Sequence, residues 1–165
     1  LTEALNKEKS NVIHSNWINS MLEGIFKTDL NIITSENGIV MHGIKNIDNG
    51  FVDFGEVYFS TVEQETIKAW KLHKKMTLNL IVPVGKVLFC FMDARDTSKT
   101  YNKIHKVILS QELYSRLTIP PGIWFGFKGL SNGLNLVCNV ADIIHDPDEV
   151  LRKEINEIDI DWSIK

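Results

Sequence analysis

The sequence predicts an all-β fold: short strand-type runs recur at fairly even spacing, turn residues punctuate them, and no strong helical pattern separates them. The exception comes first. Residues 1–24 (LTEALNKEKSNVIHSNWINSMLEG) are polar, with Ile13, Trp17, Met21 and Leu22 spaced as on one face of an amphipathic helix, and Gly24 as its stop. A short helical extension over 1–29 is therefore expected ahead of a β domain over 30–165. The strand runs are GEVYFSTV (55–62), TIKAWKLH (66–73), LNLIVPVGKVLFCFMD (78–93), KIHKVILS (103–110) and LNLVCNVAD (134–142). Asn49-Gly50, Pro83 to Gly85, Pro120-Pro121-Gly122 and Asn132-Gly133 supply the turns between them. After Asp146 a charged stretch leads into the alternation Ile155, Ile158, Ile160, Trp162, which suits a tail that docks on the barrel.

A chain of 165 residues fits one domain with a proper core. Its net charge of −3, with Lys and Arg spread along the chain, gives no electrostatic footprint for nucleic acid or an anionic membrane. No apolar run approaches the roughly 20 residues of a membrane span, and the N-terminus lacks a signal-peptide core. A cytoplasmic protein is expected. Cys90 and Cys138 each lie in an apolar strand run without metal spacing, and read as unpaired buried thiols.

Several stretches in order carry a family likeness: IKAWKLHKK (67–75), VPVGKVLFCFMDAR (82–95), RLTIPPGIWFGFKGLS (116–131), NLVCNVADIIHDPDE (135–149) and IDIDW (158–162). Their order and spacing resemble the dTDP-4-dehydrorhamnose 3,5-epimerases and the related sugar-nucleotide ketoisomerases, over roughly residues 38–162. The IPPG turn with its following aromatic and Gly-Phe is the most specific piece. The resemblance implies a double-stranded β-helix (cupin, jelly-roll) fold and a homodimer. It also implies a nucleotide-linked 4-keto-6-deoxy sugar as substrate, epimerised beside the ketone without a metal or organic cofactor. Surface-polysaccharide or deoxysugar biosynthesis is the implied setting.

The family uses a His base and a Tyr acid, and this chain departs at both. The family's Arg-Gly-Leu-His-Tyr-Gln strand lines up with Lys68 to His73, so Lys71 stands at the base position and Lys68 at that of the Arg, a phosphate contact. The ketoisomerase strand carries two His two apart, and His73 falls on the second. Alignment on Asp142 puts Cys138 at the Tyr position, and Phe125 stands where a His often follows the IPPG turn. The carboxylate that orients the family's His has no clear counterpart between Asp146 and Trp162.

Strand alternation places Ala69, Lys71 and His73 on one face of their strand and Lys68, Trp70 and Leu72 on the other. A Lys desolvated or beside another cation titrates nearer neutrality, so Lys71 can remove a proton alpha to a ketone, or as a cation hold the ketone oxygen or a diphosphate. The candidate catalytic residues are Lys71, His73 and Tyr58, the last on the preceding strand as a donor in place of the missing Tyr. The candidate substrate-binding residues are Lys68, Asn79, Trp124 and Cys138. His42, His105 and His145 are given no role. The positions of a cupin metal site read Lys71, His73, Thr77 or Leu78, and Phe125, and one ligand does not hold a transition metal, so none is expected. Three functions compete: an epimerase or isomerase, a barrel that binds a sugar nucleotide or a partner enzyme without chemistry, and an unrelated cupin for a small acidic ligand, which the basic IKAWKLHKK strand permits.

Overall fold

The computed structural model describes residues 21–164. Twelve strands follow in order: β1 (Phe26–Asp29), β2 (Ile32–Ser35), β3 (Gly38–Met41), β4 (Glu56–Val62), β5 (Ile67–His73) and β6 (Leu78–Val84). Then come β7 (Lys86–Asp93), β8 (Ile104–Ser110), β9 (Ser115–Ile119), β10 (Ile123–Gly129), β11 (Asn135–Ala141) and β12 (Val150–Arg152). Every strand run expected from the sequence is present. The long run 78–93 is cut in two at Gly85, whose φ of +82° brings its Cα close to the Leu134 carbonyl, where a Cβ would sit at 2.4 Å.

Two five-stranded sheets face each other, in the orders β1-β9-β6-β11-β4 and β12-β5-β10-β7-β8. They form a jelly-roll sandwich rather than a closed barrel. Alternation on β6, β7 and β11 sends Leu78, Leu80, Val82, Phe89, Phe91, Val137 and Ala141 into the space between them, where all are buried. A second cluster lies on the back of the second sheet: Trp70, Leu72, Leu88, Cys90 and Trp124, under Ile158, Ile160 and Trp162. The tail therefore docks as its apolar alternation suggested. It also contributes β12, which pairs with β5, and short 3-10 turns at Pro147–Glu149 and Ile155–Glu157 in place of a longer helix.

The expected boundary at residue 29 moves. Leu22 and Ile25 are buried in the main core and β1 pairs with β9, so the β domain reaches back at least to Leu22, because the sheet edge recruits this segment. The helix expected over 1–24 falls mostly outside the described residues; residues 21–24 form a bend and turn. Among the described residues no helix is long and apolar enough to cross a membrane.

Arg116, fully buried on the side of β9 away from the core, gathers the loop ahead of β4. Its guanidinium donates to the carbonyls of Gly43 (3.1 Å) and Asn49 (2.8 Å) and to Asp48 (3.0 Å). This pins the chain that delivers β4, and with it Tyr58, to the first sheet.

Candidate active site

The site is built on β5, and β5 is not a regular strand. Lys71 stands opposite Phe125 and Lys68 opposite Phe127, so Ala69 and Trp70 share the place facing Gly126. That is a β-bulge: two residues against one. A Cβ on Gly126 would lie 2.6 Å from that of Ala69, so the partner strand needs glycine there. The extra residue resets the alternation. Lys68, expected on the far face, shares the cleft face with Lys71 and His73, while Trp70 and Leu72 face the outer cluster. Lys68 Nζ donates to the Thr61 carbonyl at 2.5 Å.

β12 lies along the other edge of β5 and pairs Arg152 with Lys71 and Val150 with His73, which puts Arg152 on the same face. Just ahead of it, buried Glu149 hydrogen-bonds His73 through Oε1 and Nδ1. Its Oε2 accepts the backbone N–H groups of Lys74 (3.0 Å), Lys75 (3.1 Å) and Met76 (3.4 Å). Burial raises the Glu149 pKa, but the bonds from His73 and the backbone outweigh it and the value is lowered, so the carboxylate stays charged. A charged carboxylate at Nδ1 takes that nitrogen's proton as a hydrogen bond and leaves Nε2 as the acceptor facing the cleft. The ring stacks on Phe125, centroids 5.9 Å apart, which fixes its plane. The orienting carboxylate that the sequence did not reveal is therefore present, as Glu149.

The first sheet forms the opposite wall. Tyr58 and Asn139 are cross-strand partners on β4 and β11, with Ser60, Leu80 and Val137 beside them. Burial pushes the Tyr58 phenol up, partly offset by the Asn139 amide, so it stays protonated near neutrality. Asn139 is 1% exposed; its Oδ1 accepts the Asn79 N–H at 3.2 Å, while Nδ2 has no hydrogen-bond partner among the described residues. On the second sheet, burial and then the charges of Arg152 and Lys68 push the Lys71 ammonium below the ordinary lysine value.

Between the walls lie two compartments whose linings share Tyr58, Lys71 and Arg152. One, of about 280 Å³, reaches His73, Glu56 and His145. The other, of about 380 Å³, is lined by Asn139, Lys68 and the apolar Leu80, Val137, Phe125 and Phe127. Among the described residues no three of His, Cys, Asp and Glu are grouped as metal ligands would be.

Lys71, His73, Tyr58 and Lys68 thus converge, whereas the other three candidates do not. Asn79 is buried behind the first sheet, its amide spent on the Gly50 carbonyl (3.1 Å) and the Thr118 hydroxyl (2.8 Å). Trp124 follows the outer parity of β10 into the cluster with Trp70, where Lys153 Nζ lies 5.1 Å from its ring centre. Cys138 points away from the cleft because its neighbours Val137 and Asn139 point in, and burial raises its thiol pKa. The sequence reading missed Glu149, Asn139, Arg152 and His145. Only strand parity counted from Tyr58's partner strand could have singled out Asn139. Glu149 and Arg152 reach the site through a pairing with no local signal.

A jelly roll whose inter-sheet cleft gathers a His–carboxylate pair, a lysine and a tyrosine is a protein equipped for proton transfer on a small polar substrate. A family model described as dTDP-4-dehydrorhamnose 3,5-epimerase matches residues 22–165, and the chain belongs to that family of sugar-nucleotide epimerases. The crystal structure of a dTDP sugar isomerase from Desulfovibrio desulfuricans G20 is 35% identical, covers 86% of this chain and 92% of its own, and superposes with a TM-score of 0.82. The dTDP-4-dehydrorhamnose 3,5-epimerase of Bacillus anthracis str. Ames, solved with TDP and PPi bound, shares the fold at 20% identity, 86% coverage of each chain and a TM-score of 0.75. The spore coat polysaccharide biosynthesis protein SpsL of Bacillus subtilis (strain 168) is 22% identical over 135 residues, 82% of this chain and 89% of that protein.

Proposed function

We propose that the chain epimerises or isomerises a dTDP-linked 4-keto-6-deoxy sugar, using His73 as base, Lys71 as charge stabiliser and Tyr58 as acid. The convergence of these three side chains on one cleft, with Glu149 behind His73, carries the reading. His73 Nε2 takes the proton from a carbon beside the ketone. The electron pair of the broken C–H bond moves to the ketone oxygen, where the Lys71 ammonium stabilises the enolate. Tyr58, on the facing sheet, delivers a proton to the opposite side of the same carbon, and the configuration inverts. Lys68 and Arg152, at the same cleft, suit the diphosphate. The nucleotide is read as dTDP from the Desulfovibrio isomerase, and the setting, polysaccharide biosynthesis in the cytoplasm, from the family and the Bacillus subtilis relative.

A homodimer is part of the proposal. The back of the first sheet exposes Val57 and Phe59, the latter 63% accessible, and the β2–β3 hairpin exposes Ile33 and Val40. Sedimentation velocity gives the assembly directly.

The deciding experiment incubates the protein with dTDP-4-keto-6-deoxyglucose in D₂O and follows the sugar by NMR. Deuterium is expected at a carbon flanking the ketone. Tyr58→Phe should keep that exchange, since the base can return a deuteron to its own side, and lose the inverted product. Binding without exchange in the wild type would leave the non-catalytic reading, which the departures at the family's His and Tyr positions favour.

A further inference from the structure

Among the described residues Asn139 is a buried side-chain amide of the cleft wall whose Nδ2 makes no full hydrogen bond, though it lies near enough to its cross-strand partner Tyr58 to influence the phenol. Its orientation is fixed from behind. Oδ1 accepts the Asn79 N–H, so the amide group turns Nδ2 towards the compartment it shares with Lys71. A buried N–H without an acceptor is costly, and such a group in a native structure calls for an explanation. The compartment pairs Tyr58, Ser60 and Lys71 with an apolar group, Leu80, Val137, Phe125 and Phe127, the first three of these buried. A single fixed donor beside an apolar recess recognises an oxygen acceptor next to a hydrocarbon group. In a 4-keto-6-deoxy sugar the C4 oxygen and the C5 methyl stand side by side in that relation.

We propose that Asn139 is a substrate-contacting residue whose Nδ2–H donates to the C4 oxygen, opposite Lys71, while the recess formed by Leu80, Val137, Phe125 and Phe127 takes the C5 methyl. This rests on the epimerase reading given above. The arrangement supplies one donor from each sheet to the oxygen that becomes negative, and it leaves the carbons flanking the ketone between His73 on one sheet and Tyr58 on the other. A neutral amide adds a hydrogen bond that strengthens as charge develops, with no proton transferred.

The test uses Asn139→Ala and Asn139→Asp in the D₂O exchange assay with dTDP-4-keto-6-deoxyglucose. Affinity for dTDP alone and thermal melting are measured alongside. Asp keeps the volume and the oxygen that serves Asn79, so it reports even where Ala loosens the fold. Both variants are expected to exchange about 10²–10³-fold more slowly at saturation, the usual cost of one lost oxyanion donor. Affinity for dTDP, which lacks the sugar, should stay within about twofold. Folded variants that exchange at the wild-type rate would overturn the proposal and leave the epimerase reading intact. If the Ala effect vanishes in a Tyr58→Phe background, Asn139 acts only through the phenol, and direct contact with the sugar is wrong. A wild type that exchanges no keto sugar sinks the epimerase reading itself, and this proposal with it.

Discussion

Asp93, at the end of β7, and Glu149, just ahead of β12, are both buried carboxylates held charged by hydrogen bonds, yet they serve different ends. Asp93 is closed on every side. Arg95 donates Nε and Nη2 at 2.8 Å each, the hydroxyls of Ser98 and Thr100 donate at 2.6 Å, and the Arg95 backbone N–H adds a fifth bond at 3.0 Å. Burial raises its pKa, but these donors drive it far below the usual carboxylate range. Glu149 is held by three backbone N–H groups instead of side chains, and its remaining partner is an imidazole whose other nitrogen faces a cleft. The partner makes the difference. An arginine is permanently charged and ends the chain of hydrogen bonds, whereas a histidine passes the carboxylate's influence to a nitrogen that can take a proton.

The largest expected effect separates the two regions by activity. His73→Ala should reduce deuterium exchange into the keto sugar by about 10²–10⁴-fold, the range for a lost general base. NMR in D₂O measures it, and near-normal exchange in a folded variant would remove His73 from the mechanism. Asp93→Asn should do the converse. Leaving Arg95 without its charged partner should lower stability by about 3–5 kcal/mol in urea unfolding, with exchange per folded molecule unchanged. A loss of exchange there would show that the Asp93 knot also shapes the cleft.

Glu149→Gln comes next. An amide keeps much of the packing but no longer holds His73 by charge, and a drop of about 10–100-fold in exchange is expected, as for other supporting partners of functional histidines. The smallest effect is on acid stability. Asp93 has a lowered pKa when folded, so its contribution is fully present above the unfolded value of about 4 and fades as pH falls below that towards the folded one. Melting temperature between pH 5 and about 2 should therefore fall less steeply in Asp93→Asn than in the wild type. Parallel slopes would mean that Asp93 is not held charged as described.

Local regularities made most of the fold legible. Turn residues such as Pro120-Pro121-Gly122 and alternation in runs such as 134–142 act over a few residues, so β9, β10 and β11 fall where the pattern puts them. The tail was legible as an apolar alternation, but not as the source of Glu149 and Arg152, because pairing across some 75 positions leaves no mark on either segment. Lys71, His73 and Tyr58, singled out through strand position and family likeness, line the cleft. Cys138 and Asn79 went astray by one step of parity, and Trp124 because the residues after the IPPG turn alternate between cleft and outer cluster. In a sheet a single step exchanges the two faces.

The bulge at Ala69 and Trp70 lets β5 carry one residue more than its partner without changing which lysines face the cleft. Losing one of the two would set Lys68 and Lys71 two positions apart, on one face by ordinary alternation, with a single residue left opposite Gly126. The insertion on one strand and the glycine on its neighbour are tied: with Ala69 in place, and Trp162 also close, a side chain at Gly126 has no room.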